Sequence, residues 1–193
     1  FLDSVLRSDQ PVTTLLTANY TFVNETLAQI YGINTVKGGQ FQRVTLQDSR
    51  RHGLLGKGAV LMVTSYPNRT APVLRGAFIL DRILGSPPYQ PPPGVGDLKP
   101  QGGGKPATLR ERFEQHSKNK TCFACHGVMD PLGFALENFD TIGQFRTRDP
   151  DTGEVVDTAG VMPDGTKIAG PDDLRRALLM HPEQFVQALT EHL

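Results

Sequence analysis

The chain has only two cysteines, Cys122 and Cys125, and His126 follows the second directly. No other feature constrains the fold as much. Two thiols this close cannot supply a disulfide framework. Stability must come from an apolar core, from a group bound at this spot, or from both. The run Cys122-Phe123-Ala124-Cys125-His126 is the C-x-x-C-H attachment pattern of a c-type haem. Its two thiols form thioethers to the haem vinyl groups, and its histidine ligates the iron. Rival readings remain. With His116 the same residues make a Cys₂His₂ zinc set, although the spacing is not a common finger pattern. A thioredoxin-like redox pair needs a βαβ context that the surrounding Pro- and Gly-rich loops do not offer. Two unrelated buried cysteines are the blandest alternative.

At 193 residues the chain holds one sizeable domain or two small ones. Twenty basic residues balance twenty acidic ones. That leaves no electrostatic footprint for nucleic acid or an anionic membrane. The longest apolar run, Ala59 to Val63, cannot span a bilayer. No signal peptide is visible. Both ends fall inside amphipathic stretches, so the chain reads as a piece of a longer one.

Residues 1–32 read as helical, with Asn24 as an N-cap and Gly32 as a stop. Phe41 to Leu46 alternates like a short strand, and Gly53 to Thr64 is an apolar helix or strand. Pro72 opens a helix that runs to Leu84 and ends at Gly85, with Gly76 inside it marking close packing. Ser65 to Pro72, followed by Arg75, reads as a turn feeding that helix, or as a polar segment facing haem propionates. Residues 86–105, rich in Pro and Gly, form a linker. Thr108-x-x-Glu111 is a capping box for a helix that places His116 inward. Asp130-Pro131 reads as the start of a further helix, Gln144 to Asp157 as a hairpin, and Pro171 and Pro182 as openings of two C-terminal helices.

Function turns on the iron's other face, since two protein ligands favour electron transfer and an open face permits peroxide or small-ligand chemistry. His116 is the first candidate for the distal ligand and Met162, in a Met-Pro loop, the second. His52, Met62, Met129, Met180 and His181 are weaker candidates. Phe113, Phe123, Phe134, Phe139 and Phe145 are available to pack on a porphyrin, or on one another as ordinary core.

Several stretches carry a resemblance to a known family. They are His52 to Leu55, Thr64 to Gly76, Leu84-Gly85 with the proline run, Thr108 to His116, Cys122 to Asp140, and Asp164 to Leu174. In these the chain resembles the planctomycete-type cytochrome c-like proteins with linked C-terminal domains of unknown function. Leu15 to Ile33 resembles the end of the preceding domain. The resemblance implies an exported bacterial protein, periplasmic or extracellular, with one covalent haem c on Cys122, Cys125 and His126. It also places a histidine at His116 and usually another aliphatic residue at Met162.

The expected fold is mostly α and loop-rich, a cytochrome c-like haem core with a small β-hairpin. The expected division is residues 1–33 as the end of a preceding helical domain, 34–105 as a helical region ending in the linker, 106–165 as the haem-binding core, and 166–193 as the start of a C-terminal helical region. The expected function is one-electron transfer to a redox partner protein or a neighbouring haem subunit. The expectation includes no nucleic acid, no membrane-spanning segment, and an oligomer as a further possibility. The alternatives are a haem enzyme with an open distal face, and a module stapled by haem or zinc.

Overall fold

The computed structural model describes residues 1–89, 107–118 and 120–192. Helices take 46% and strands 13%, so the fold is mixed rather than mostly α. It is loop-rich, and its strands form three two-stranded antiparallel sheets. The linker expected over 86–105 lies outside the described residues from position 90 onward.

The N-terminal stretch corrects the all-helical expectation. Two short helices, α1 (Leu2–Leu6) and α2 (Thr14–Thr17), precede strand β1 (Tyr20–Val23) and helix α3 (Glu25–Ile30). Tyr-Thr-Phe-Val is aromatic and β-branched, which suits a pleated surface. It finds its partner in β2 (Gln42–Thr45), in register Tyr20 to Thr45. Asn24 caps α3 as expected, accepting from the Leu27 N–H at 3.0 Å, and Gly32 turns the chain away at φ 72°.

The apolar segment after Gly53 is helical: a 3₁₀ turn over Leu54–Gly56, then α4 (Gly58–Val63). A tight ribbon of β3 (Ser65–Tyr66) and β4 (Arg69–Thr70) leads into α5 (Pro72–Phe78). This is the expected turn feeding a helix. Beyond α5 the helix widens into a π turn over Ile79–Ile83, with the Leu84 N–H donating to Ile79 O. The Thr108–Glu111 box forms reciprocally. Thr108 N–H donates to Glu111 Oε2 at 2.7 Å, and Glu111 N–H donates to Thr108 Oγ1 at 3.2 Å. It starts α6 (Leu109–Ser117), which is followed by α7 (Lys120–Phe134).

Here a second expectation fails. Asp130-Pro131 does not start a helix; α7 runs straight through both residues. Pro131 lacks the N–H that would meet the Gly127 carbonyl, at a cost of about 3 kcal/mol in a helix interior. Tertiary packing overrides it, because Gly160 seats against the ring and a Cβ there would come within 2.9 Å of Pro131 Cβ.

The hairpin expected at 144–157 is reduced to a turn at Asp149–Glu154 and one bridge between Arg148 and Val155. A regular ladder follows, pairing β5 (Ala159–Val161) with β6 (Lys167–Ala169). Helices α8 (Pro171–Leu178) and α9 (Pro182–Glu191) close the chain, as their prolines predict. One main core joins Val5, Leu15, Leu61, Ile79, Leu132 and Phe185, and a smaller one lies under β1 and α3. No described helix is long and apolar enough to cross a membrane.

Two contacts hold α7 in place. Where α5 crosses it, glycines replace side chains: a Cβ on Gly76 would stand 2.1 Å from Met129 O, and one on Gly133 would stand 1.8 Å from Pro72 O. The two backbones therefore touch. Beside them Arg75, 1% exposed, reaches past the end of α7. Its guanidinium donates to Leu136 O and Phe139 O at 2.8 Å and to Asp140 O at 2.9 Å. These carbonyls belong to the irregular stretch that follows α7, where no helix or sheet ladder runs. Arg75 also meets Glu137 at 3.2 Å, and Glu137 accepts from Thr70 Oγ1 at 2.7 Å and Arg146 Nη2 at 3.1 Å. Burial pushes the Glu137 carboxyl up and the Arg75 guanidinium down, each against the pull of the other's charge. Arg75 is thus an internal tie, not a group facing outward to a ligand.

Candidate functional site

Cys122, Cys125 and His126 all lie in α7. Positions three and four apart share a helix face. The spacing thus puts Cys122, His126 and Asp130 in one row, with Cys125 and Met129 beside it. Both thiols are free of disulfide and partly exposed. Cys125 leans on the main core, while Phe123, at 60% exposure, points outward.

The imidazole of His126 is held on two sides. Its Nδ1 lies 2.9 Å from Asp130 Oδ1, one turn on. The Phe113 ring of α6 stands 6.1 Å away, centroid to centroid. Asp130 is itself buried. This pair is what the sequence reading missed. The i, i+4 spacing was visible, but the proline behind Asp130 gave it the look of a cap outside a helix.

The remaining candidates fall as follows. His116 sits in the last turn of α6, four positions ahead of the first residue of α7; its side chain lies outside the described part. Met162 occupies the β5–β6 turn, where its carbonyl accepts from the Gly165 N–H at 2.9 Å and its side chain packs on the main core. Met129 is buried in that core, and Met62 and Met180 are exposed. His52 bonds Leu46 O at 3.1 Å, and His181 meets Glu183 at 3.3 Å. The phenylalanines form two edge-on pairs, Phe113 with Phe134 and Phe139 with Phe145, each at 5.7 Å. Among the described residues no group of three or more His, Cys, Asp or Glu side chains gathers as a metal cluster.

Two family models match parts of the chain. Residues 51–149 match PSCyt3, described as a protein of unknown function (DUF1588). Residues 1–33 match PSD4, likewise described as a protein of unknown function (DUF1592). The first match takes in α4 through α7 and just over half of the sequence, and the chain belongs to that family. These are planctomycete cytochrome c-like domains, as the resemblance anticipated. No curated protein and no solved structure matches the chain.

Proposed function

We propose that the chain is a monohaem c-type cytochrome domain carrying out one-electron transfer. The observation that carries this reading is the single helix face bearing Cys122, Cys125 and His126, with the imidazole engaged through Nδ1 by Asp130. The donor set suits the group: two thiols at thioether spacing, and a histidine whose Nε2 would take the iron. When bound, haem supplies a one-electron centre whose potential responds to ligands, burial and nearby hydrogen bonds. Cys122 and Cys125 would hold it through thioethers, and His126 would ligate its iron. Phe113 and Phe134 offer an apolar wall beside the imidazole. His116 is the proposed distal ligand, with Met162 second.

Within this reading residues 106–165 carry the cofactor, and the protein works outside the cytoplasm with a redox partner or a neighbouring haem subunit. The test is expression with c-type maturation, followed by intact mass and a reduced-minus-oxidised spectrum. The wild type should gain the mass of one haem and a Soret band, both lost in a Cys122→Ser, Cys125→Ser double variant. His116→Ala should turn a low-spin spectrum high-spin, and Met162→Ala should not. A wild-type chain with no added mass and no Soret band would overturn the proposal.

A further inference from the structure

We infer that Asp130 is a positioning residue for the iron: its carboxylate binds Nδ1–H of His126, fixes the ring so that Nε2 meets the metal, and holds the reduction potential down. This rests on the haem proposal and extends it to a residue outside the attachment motif.

Three observations converge. The contact is direct, 2.9 Å between Nδ1 and Oδ1. Its geometry is built by the helix, since His126 and Asp130 are one turn apart and α7 continues through Pro131. The pair is also shielded, with side-chain exposures of 17% and 12%, so water competes weakly for the bond and charge acts at lower dielectric. An exposed pair at this spacing would be no more than a helix staple. A shielded carboxylate on the inner nitrogen of a metal-ligating histidine sets the tautomer and raises the donor strength of the outer nitrogen. A stronger donor favours ferric over ferrous iron, so the potential falls. The rest of the fold fixes Asp130 in turn. Met129 carries the backbone contact to Gly76, and Pro131 carries the contact to Gly160. Asp130 sits between these two anchors.

The test compares the haem-loaded wild type with Asp130→Asn, Asp130→Ala and the control Asp157→Asn. The control removes a carboxylate that pairs with Arg110 at 2.9 Å instead. Haem loading is read by intact mass, the potential by redox titration, and the ligand field by EPR of the ferric protein. Both Asp130 variants should favour reduction by about ten-fold or more in equilibrium constant, which is 59 mV for a one-electron couple. Their ferric g values should move, and those of the control should stay. Asn keeps the shape of Asp, so that variant decides the matter if the alanine variant fails to fold. Asp130 variants that load haem yet stay within about two-fold of the wild type, with unchanged g values, would overturn the inference. A wild type that takes no haem would instead overturn the attachment reading itself.

Discussion

Adding a single methyl at Gly133 should separate the two helices that hold the CxxCH segment. Helix propensity alone favours Ala over Gly by about 1 kcal/mol, so the substitution should stabilise an isolated α7. The fold reverses the sign. A Cβ at Gly133 would lie 1.8 Å from Pro72 O and 2.5 Å from Pro72 C. Ordinary contact begins near 3.4 Å, so the backbones must part by about 1.6 Å, and neither has a rotamer to yield. Overpacking of this kind costs about 1–3 kcal/mol. The same displacement carries the Arg75 bonds to Phe139 O and Asp140 O, at 2.8 and 2.9 Å, beyond hydrogen-bonding range. Each charged bond is worth about 1.5–3 kcal/mol. Net of the propensity gain, the loss should be about 3 kcal/mol or more, a fall in Tm of roughly 6–12 °C for a chain of this size. Gly127→Ala is the internal control. It lies in the same helix, but the nearest atoms to its Cβ would be those of the exposed ring of Phe123, from 3.0 Å, and that ring can swing away, so it should be neutral or slightly stabilising. Thermal and urea unfolding of both variants decide the point. A Gly133→Ala protein that melts at or above the wild type, or the two variants shifting alike, would refute the reasoning.

Two further outcomes are expected. Glu137→Leu strands Arg75 and Arg146 without their carboxylate and should cost about 3–5 kcal/mol in urea unfolding; a loss under about 1 kcal/mol would show that the pair is dispensable. Lys57 is buried, with Tyr20 O and Arg51 O at 3.3 Å and the face of the Phe1 ring at 4.5 Å to receive its ammonium, and burial lowers its pKa from 10.5 to about 7. The unfolded chain therefore holds more protons between those values, so stability should rise with pH across that window, by at most about 1.4 kcal/mol per pH unit from this group. Lys57→Met should flatten the rise, and an identical pH profile in the two proteins would refute the assignment.

What could be read in advance was chemistry settled within one turn of chain. Asn24 and the Thr108–Glu111 box satisfy N–H groups three residues away, and Pro72, Pro171 and Pro182 open helices because their missing N–H is not needed there. What could not be read depended on distant partners. Tyr20–Val23 became a strand because Gln42–Thr45 pairs with it. Pro131 stayed inside α7 because Gly160 packs on it. The second case hid part of the site, since a helix ending before Asp130 would have separated that carboxylate from His126. The C-x-x-C-H run was visible because it is a pattern of spacing alone.

The grip of Arg75 on the stretch that follows α7 joins backbone 61 to 65 positions apart. Every group in that grip lies either ahead of residue 89 or beyond residue 107. A polypeptide ending before Gln90 would hold α5, Arg75 and the N-terminal core, and one starting at Ala107 would hold both thiols and His126. Among the described residues, the Arg75 bonds and the α5–α7 backbone contacts are divided between these two pieces, so separately made halves should reassociate through them. The half that carries the C-x-x-C-H run could then be labelled or exchanged by itself before the two are combined.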